Sequence, residues 1–175
     1  VARLAGSRVA VIGDVMLDHF VYGSVERVSP EAPIPVLKVR RERRMLGGVG
    51  NVARNATALG ARVSLIATVG SDAAGRDVAA LIGEDERLTA NLVVVPGRQT
   101  TVKTRFVASG QQLLRADQEV TAGLSADFER RLCDLLDSEM RSADVLVISD
   151  YAKGVMTPAV VAHAVKAARA AKKPV

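Results

Sequence analysis

Two carboxylates follow the first apolar run of the sequence. Asp14 and Asp18 come after residues 9–12, and Gly13 ends that run. Such a run is typical of a buried strand, and open α/β sheets bind ligands at the carboxyl edge of their strands. A carboxylate there accepts paired hydrogen bonds from the hydroxyls of a polar ligand, so both acids are candidate ligand-binding residues. The alternatives are a turn or N-cap residue for Asp14 and a solvated acid for Asp18.

A glycine-rich segment precedes a stretch with helical periodicity. Gly47 and Gly48 stand directly before it, and Asn51 would project from its first turn. Glycines let a ligand approach the main chain, and the first amides of a helix donate to sugar or phosphate oxygens. We therefore place Gly47, Gly48 and Asn51 in a binding site for a polar ligand. The alternative is an ordinary tight turn between a strand and a helix.

Three cations lie in a predicted β-hairpin. Lys103 and Arg105 are two residues apart on one strand and so share a face, while Arg115 lies on the partner strand. Such cations are suited to bind an anionic group, such as the phosphate of a ligand. We predict that Lys103 and Arg115 face each other and bind that phosphate, with Arg105 beside them. The alternative is the charged outer face of an exposed hairpin.

A further acid and a further lysine follow a second apolar run, at residues 145–149. Asp150 ends that run and could contact a polar ligand, and Lys153 could offset negative charge on a bound anionic group. The alternative is a loop acid paired with a loop lysine. His19 and His163 have no partner at the spacing of metal ligands or of a catalytic triad, so no metal site is predicted.

The elements that must position these residues alternate along the chain. Apolar runs predict strands at residues 8–12, 62–69, 92–95 and 144–149. Apolar periodicity predicts helices at residues 49–59, 73–82, 125–136 and 157–171, opening in the last three cases at Ser71 or Asp72, at Ser125 and at Thr157-Pro158. Strands that are apolar on both faces and alternate with helices indicate an α/β fold, with a mostly parallel sheet and helices on both faces.

Two segments break this alternation. Residues 20–40 contain Pro30, Pro33 and Pro35, which exclude a helix. Residues 101–117 have the pattern of a hairpin that turns at Ser109-Gly110. Together they predict a small β-sheet added to the α/β body, and such an appendage often acts as a lid.

Two motifs in order carry a family resemblance. Residues 47–60, GGVGNVARNATALG, and residues 69–75, VGSDAAG, resemble the N-terminal signatures of ribokinase-type sugar kinases. Within that family, five further segments resemble the heptose 7-phosphate kinase branch: residues 11–18, 26–36, 101–105, 111–117 and 149–155. The resemblance covers nearly all of the 175 residues.

The resemblance implies a fold and an activity. These are a ribokinase-like fold with a small β lid, and ATP-dependent phosphorylation of D-glycero-β-D-manno-heptose 7-phosphate at its anomeric hydroxyl, on the route to lipopolysaccharide core heptose. It also implies ATP and Mg²⁺ as cofactors, a homodimer formed through the lid, and Asp14 and Asp18 as the sugar-contacting acids. The enzyme could stand alone or precede a nucleotidyltransferase. Alternatives are another ribokinase-like sugar kinase and a non-catalytic sugar-binding or dimerisation fragment.

One departure from the family pattern is large. The family's catalytic base is an aspartate in a Gly-Ala-Gly-Asp element of the C-terminal half, which this sequence lacks, as it lacks the Asn-x-x-Glu element associated with magnesium. The resemblance therefore implies that residues 1–175 are the N-terminal part of a kinase domain. On that view the base and most of the ATP site lie outside the chain, and these residues alone are inactive.

Composition excludes several other classes. The chain has 49% hydrophobic residues and a single cysteine, which argues against a disordered chain and a disulfide-stapled scaffold. Its net charge is +5, but the basic run at residues 40–44 contains Glu42 and has no interleaved aromatics, so we expect no nucleic-acid partner. No apolar stretch is long enough to span a membrane and no signal peptide is recognisable, so we expect a cytoplasmic protein.

Overall fold

The computed structural model describes residues 5–175, which form eight strands and four helices. They are β1 (Arg8–Gly13), β2 (Val15–Val28), β3 (Pro35–Gly48), α1 (Val49–Ala58), β4 (Arg62–Gly70), α2 (Ala73–Gly83), β5 (Leu88–Val95), β6 (Val102–Ala108), β7 (Gln111–Gln118), α3 (Ala126–Met140), β8 (Val145–Ser149) and α4 (Pro158–Ala170).

Four strands form the parallel sheet of the body, here called the body sheet, in the order β5-β4-β1-β8. Side chains of β1 alternate between its two faces: Val9 and Val11 pack in one apolar cluster, and Ala10 and Ile12 in another. Helices α1 and α2 contribute to the first cluster, and α3 and α4 to the second. The predicted parallel sheet with helices on both faces is confirmed.

All three predicted N-cap residues precede their helices, and the side chains of two of them cap the helix. The Asp72 side chain accepts a hydrogen bond from the amide of Gly75 at the start of α2 (2.8 Å), and the Thr157 side chain accepts one from Val160 at the start of α4 (3.3 Å). Ser125 stands at the N-cap of α3, but its side chain makes no capping hydrogen bond. Its carbonyl oxygen accepts from the amides of Phe128 and Glu129 instead.

The other four strands form a second sheet, here called the outer sheet, in the order β3-β2-β6-β7. Strand β2 pairs antiparallel with β3 and parallel with β6, and β6 pairs antiparallel with β7. The predicted hairpin is confirmed, and Ser109 and Gly110 both turn through positive φ angles. Strands β2 and β3 are longer than residues 20–40 suggested, so Asp18 lies within a strand and Gly47 and Gly48 end one.

The two sheets join where β1 gives way to β2. Leu17, Leu46 and Val102, from the base of the outer sheet, are buried in the same apolar cluster as α1 and β4. The main-chain amide of Val49 donates to the carbonyl of Asp14 (2.9 Å), which fixes the start of α1 against that junction. The carboxyl edge of β1 therefore lies beside the outer sheet. Among residues 5–175, no helix has the length and apolar character needed to cross a membrane.

Candidate functional site

Asp14 is part of the scaffold of the site. Its side chain is 1% exposed, and it accepts hydrogen bonds from the amides of Tyr151 (2.8 Å), Lys153 (3.2 Å) and Val155 (3.1 Å). A buried carboxylate is stable when main-chain donors replace its water, and these three donors do so. Asp14 thus fixes the loop after β8. The sugar contact predicted for Asp14 stays a prediction, and the structure adds that both of its oxygens hold this loop.

Asp18 lies on β2 with both a partner and room for a ligand. Its Oδ1 is 2.5 Å from Nη1 of Arg105, and its side chain remains 23% exposed. A Cβ at residue 47 would lie 2.5 Å from the other carboxylate oxygen, so only a glycine at that position leaves the carboxylate in place. The Arg105 guanidinium also lies 5.1 Å above the ring of Phe20. The structure therefore brings together Asp18, Gly47 and Arg105, three residues that the sequence analysis placed in candidate binding features.

The start of α1 lies beside this carboxylate. Gly48 is its N-cap residue, with φ of 56°, and no side chain caps the helix there. The Asn51 side chain lies in the first turn and is exposed. The first turn of α1 thus offers amide donors without a capping side chain, the arrangement expected for polar ligand atoms.

The register of the hairpin differs from the prediction. Lys103 lies opposite Asp117, and Arg105 lies opposite Arg115. The predicted facing of Lys103 and Arg115 is therefore wrong: a bulge between Phe106 and Val107 and the turn length set the pairing instead. The two cations still share a partner, since Lys103 Nζ and Arg115 Nε lie 2.8 Å and 2.9 Å from the carboxylate of Asp117.

A chain of ion pairs connects the hairpin to the loop after β8. Glu119 accepts from Lys153 (2.8 Å) and Lys103 (3.3 Å), and Lys103 in turn pairs with Asp117. The hydrogen bond from Lys103 lowers the pKa of Asp117, and the hydrogen bond from Lys153 lowers the pKa of Glu119. Sequence reasoning missed Glu119, although Arg115, Asp117 and Glu119 alternate as residues on one face of a strand do.

Asp150 does not join this chain. Its side chain is exposed, and Oδ1 accepts a hydrogen bond from the amide of Ala152 (2.7 Å), which has a positive φ. An aspartate that bonds an amide two residues on forms an Asx turn. The structure thus gives Asp150 a turn-forming role, and the lysine of the loop, Lys153, pairs with Glu119 instead. The ligand contact predicted for Asp150 stays a prediction.

Arg98 was also missed by the sequence reasoning. Its guanidinium donates to the carbonyl oxygens of Ala122 (2.9 Å), Val120 (3.3 Å) and Lys153. Burial lowers the pKa of this guanidinium, and the charge of Asp14 opposes that shift. No sequence pattern reveals such a residue, because its acceptors are main-chain atoms of two distant segments.

The comparisons with known proteins agree with this geometry. Residues 7–175 match the model of the pfkB family carbohydrate kinases. The chain belongs to this family. The predicted resemblance to ribokinase-type sugar kinases is thereby confirmed for the family as a whole.

Curated relatives of this pfkB family chain include proteins named "Bifunctional protein HldE". The one from Paramagnetospirillum magneticum is 50% identical over 175 residues, which are 100% of this chain and 36% of the relative. The one from Caulobacter vibrioides is 53% identical over 176 residues, which are 98% of this chain and 35% of the relative. The chain thus spans about a third of the length of these relatives.

Solved structures share the fold of this pfkB family chain. A carbohydrate kinase from Agrobacterium tumefaciens superposes with a TM-score of 0.71 at 22% identity, over 96% of this chain and 52% of that one. The tetrameric inhibited form of phosphofructokinase-2 from Escherichia coli gives 0.70 at 22% identity, over 96% and 53%. At such identities the likeness shows the fold, which agrees with the ribokinase-like α/β prediction.

Membership of the family implies that a kinase of this type uses a nucleotide and a divalent metal ion. The His, Cys, Asp and Glu side chains of the described residues show whether they could hold such a metal ion. Among residues 5–175, no three His, Cys, Asp or Glu side chains are grouped so that they could hold a metal ion. The acids of the site are each bound to cations or amides. The described residues therefore do not fit a magnesium site, and we assign no step of the chemistry to a metal on them.

Proposed function

We propose that the protein that contains this chain phosphorylates a sugar phosphate with ATP, and that this chain forms the sugar side of the site. One observation carries the proposal: four cations gather with three carboxylates beside the carboxyl edge of β1. The cations are Lys103, Arg105, Arg115 and Lys153, and the carboxylates are Asp18, Asp117 and Glu119. The cluster has an excess of positive charge before any ligand binds, which favours an anionic substrate.

The chemistry expected of these residues follows from their positions. Asp18 accepts hydrogen bonds from sugar hydroxyls, in a site that Gly47 keeps open. Gly48 and Asn51, at the start of α1, provide further polar contacts. The phosphate of the substrate takes over donors of Lys103, Arg105 and Arg115 from their present carboxylate partners, which makes binding a charge-assisted exchange.

Lys153 serves the transferred group in this proposal. Its ammonium stabilises negative charge that develops as the phosphoryl group moves, which is the main work of a kinase site. ATP supplies the phosphoryl group. We assign the catalytic base and most of the nucleotide site to residues outside this chain, because the sequence lacks the Gly-Ala-Gly-Asp element of the family. We assign the Mg²⁺ site there as well, because the described residues contain no group of side chains that could hold a metal ion. The 175 residues alone are then inactive.

Within this class, we propose D-glycero-β-D-manno-heptose 7-phosphate as the substrate and its anomeric hydroxyl as the acceptor. Support comes from the resemblance of five sequence segments to that branch of the family. The relatives that are about half identical carry names that fit a kinase joined to a second activity. The product, a 1,7-bisphosphate, belongs to the precursor route of lipopolysaccharide heptose in the cytoplasm.

The test is a substrate panel on the full-length protein. Heptose 7-phosphate, fructose 6-phosphate, ribose and unphosphorylated heptose are compared with ATP in excess. Lys103→Ala should raise KM for heptose 7-phosphate by at least about tenfold, since a charge-assisted hydrogen bond contributes roughly 1.5–3 kcal/mol. KM for ATP should change much less. Lys166→Ala, on the exposed side of α4, is the control. Equal turnover of phosphorylated and unphosphorylated heptose would contradict the phosphate site.

We further propose that the outer sheet is a lid through which two copies of the protein pair. Val25, Val39 and Leu114 lie on the face opposite to Asp18 and are 38%, 51% and 60% exposed. Apolar side chains exposed together on one sheet face mark an interface. Sedimentation of the full-length protein should show a dimer, and Leu114→Arg should give a monomer. A wild-type monomer at micromolar concentration would contradict this.

A further inference from the structure

Arg98 lies in the connection between the two sheets. It follows β5 of the body sheet and precedes β6 of the outer sheet. One arm of its guanidinium donates to the carbonyl of Ala122, and the other donates to the carbonyls of Val120 and Lys153. A planar guanidinium presents its donors in a fixed geometry, so three acceptors on one side chain constrain one another. Arg98 therefore sets the distance between two segments that are remote in sequence.

Those two segments carry the side chains of the ion-pair chain. Glu119 begins the segment 119–124, which returns from the outer sheet, and Lys153 lies in the loop 150–155 after β8. Their side chains meet at 2.8 Å. Gly154 sits so close to the carbonyl of Ala122 that a Cβ there would overlap it, so the two main chains are in direct contact.

The main chain of Lys153 is fixed on both of its polar atoms. Its amide donates to Oδ2 of Asp14 (3.2 Å), and its carbonyl accepts from Arg98. Asp14 is buried and Arg98 is half-buried, so neither hydrogen bond is readily exchanged for one to water. This is a stronger constraint than the ion pair alone would supply, because the partners of a partly exposed ion pair can adopt other side-chain geometries.

We propose that Arg98 is a positioning residue that holds Lys153, and through Glu119 also Lys103, in place for phosphoryl transfer. The proposal rests on the proposed function above. Nothing in it requires Arg98 to touch a ligand, because its three hydrogen bonds go to main-chain carbonyls. Its effect on the reaction passes through the ammonium of Lys153.

The experiment uses the full-length protein with Arg98→Gln, Arg98→Lys, Lys153→Ala and the double variant Arg98→Gln/Lys153→Ala. Glutamine at this position removes the positive charge and the two donor arms of the guanidinium. Lysine keeps the charge but cannot donate to all three carbonyls. Arg130→Gln is the matched control, since Arg130 is exposed on α3 and pairs only with Asp127 among the described residues. Steady-state kinetics and hydrogen exchange of residues 119–124 and 150–155 are measured for each.

Arg98→Gln should lower kcat by about tenfold to a hundredfold, the range expected when a catalytic group is misplaced by about 1 Å. Arg98→Lys should recover folding stability but not kcat. In the Lys153→Ala background, Arg98→Gln should lower kcat little further, because the group through which it acts is gone. Exchange should rise together in residues 119–124 and 150–155, while β1 and β4 remain protected.

Two results would overturn the proposal. One is an effect of Arg98→Gln that multiplies in full with that of Lys153→Ala, which would make the two residues independent. The other is unchanged exchange in both segments. A wild-type protein with no kinase activity on any sugar phosphate would refute the proposed function instead, and the exchange measurement would still decide whether Arg98 positions the loop.

Discussion

The body sheet and the outer sheet use similar residues in opposite ways. Asp14 and Asp18 are four residues apart, one at the end of the body sheet and one in the outer sheet. Asp14 accepts from main-chain amides and is buried, whereas Asp18 pairs with the Arg105 side chain and is partly exposed. The amides of a packed loop are fixed in place, whereas an arginine side chain can change its conformation and release its carboxylate partner to a ligand. The difference teaches that the donor decides whether an acid supports the site or serves a ligand.

The same contrast runs through the two sheets as a whole. Strand β1 of the body is buried along all but its first residue, whereas every residue of β7 in the outer sheet is exposed. Apolar burial and main-chain hydrogen bonds hold the body together. Side-chain ion pairs organise the face of the outer sheet that carries Asp18 and Lys103. We therefore expect substitutions in the body to change stability, and substitutions in the outer sheet to change binding.

The largest effect should come from exchanging the two acids for their amides. Asp14→Asn places an amide group against main-chain donors, and we expect a loss of about 3 kcal/mol in the free energy of unfolding, because buried donors are left without acceptors. Asp18→Asn breaks one partly exposed ion pair, so its cost should stay below about 1 kcal/mol. Urea denaturation measures both values.

Enzyme activity should distinguish the two variants in the opposite sense from stability, because Asp18→Asn should affect catalysis without unfolding the protein. Asp18→Asn should lower kcat/KM for the sugar phosphate strongly while the protein stays folded. Asp14→Asn should lose activity in proportion to the loss of folded protein and of order in residues 150–155. If Asp18→Asn proved as destabilising as Asp14→Asn, the distinction between scaffold and ligand acid would fail.

A smaller effect should come from two glycines with nearly the same backbone conformation. Gly154 has φ of 78° and Gly110 has φ of 80°, but only at Gly154 would a Cβ meet another main chain, at Ala122. Gly110→Ala should therefore cost about 1 kcal/mol from backbone strain alone. Gly154→Ala should cost more than about 2 kcal/mol, since the overlap adds to the strain.

Thermal unfolding of both alanine variants makes this comparison, with Gly83→Ala as the control. Gly83 ends α2 with nothing near its missing Cβ and no positive φ, so alanine there should leave stability unchanged or raise it slightly. Equal losses at Gly154 and Gly110 would show that segments 119–124 and 150–155 can separate without cost.

How far the sequence predicts the molecule also differs between the two sheets. The strands and helices of the body can be predicted from apolar runs and cap residues. An element that is buried on one or both faces needs apolar residues at regular positions along the sequence. Only the bounds shifted: β5 begins at Leu88, four residues before the predicted strand. Its first residues are not a continuous apolar run, and pairing with β4 extends the strand across them.

The outer sheet and the site were predicted less completely. The presence of the cations was predictable from the sequence. The register that places Arg115 opposite Arg105 depends on a bulge, and no residue type in the hairpin indicates that bulge. For Asp14 and Asp150 the sequence predicted ligand contacts but did not indicate the hydrogen bonds that both accept from main-chain amides. Arg98 could not be found at all, since carbonyl acceptors occur at every residue and only the fold selects three of them.

The smallest expected effect is a pH dependence of the body that Asp72 creates. Burial raises the pKa of Asp72, but hydrogen bonds from the amide and hydroxyl of Thr100 and from the amide of Gly75 outweigh it, so the pKa is lower than the ordinary value of 3.8. Since the folded state has the lower pKa, this contribution to stability is complete above pH 3.8 and is lost as pH falls through the folded value.

Asp72→Asn removes this titration while keeping the shape of the side chain. We expect the variant to be less stable than wild type at about pH 6, by at most about 1 kcal/mol, and the difference to shrink towards about pH 3 as the wild-type carboxylate becomes protonated. Urea denaturation across that range measures it.

Glu119→Gln is the matched variant in the outer sheet. The carboxylate of Glu119 also has a lowered pKa, but its partners are lysine side chains rather than main-chain amides. Added salt should screen the Glu119 contribution and leave that of Asp72 in place, because main-chain amides that point at a carboxylate are not displaced by ions. A salt response as large for Asp72 as for Glu119 would mean that the body, like the outer sheet, depends on exchangeable charge pairs.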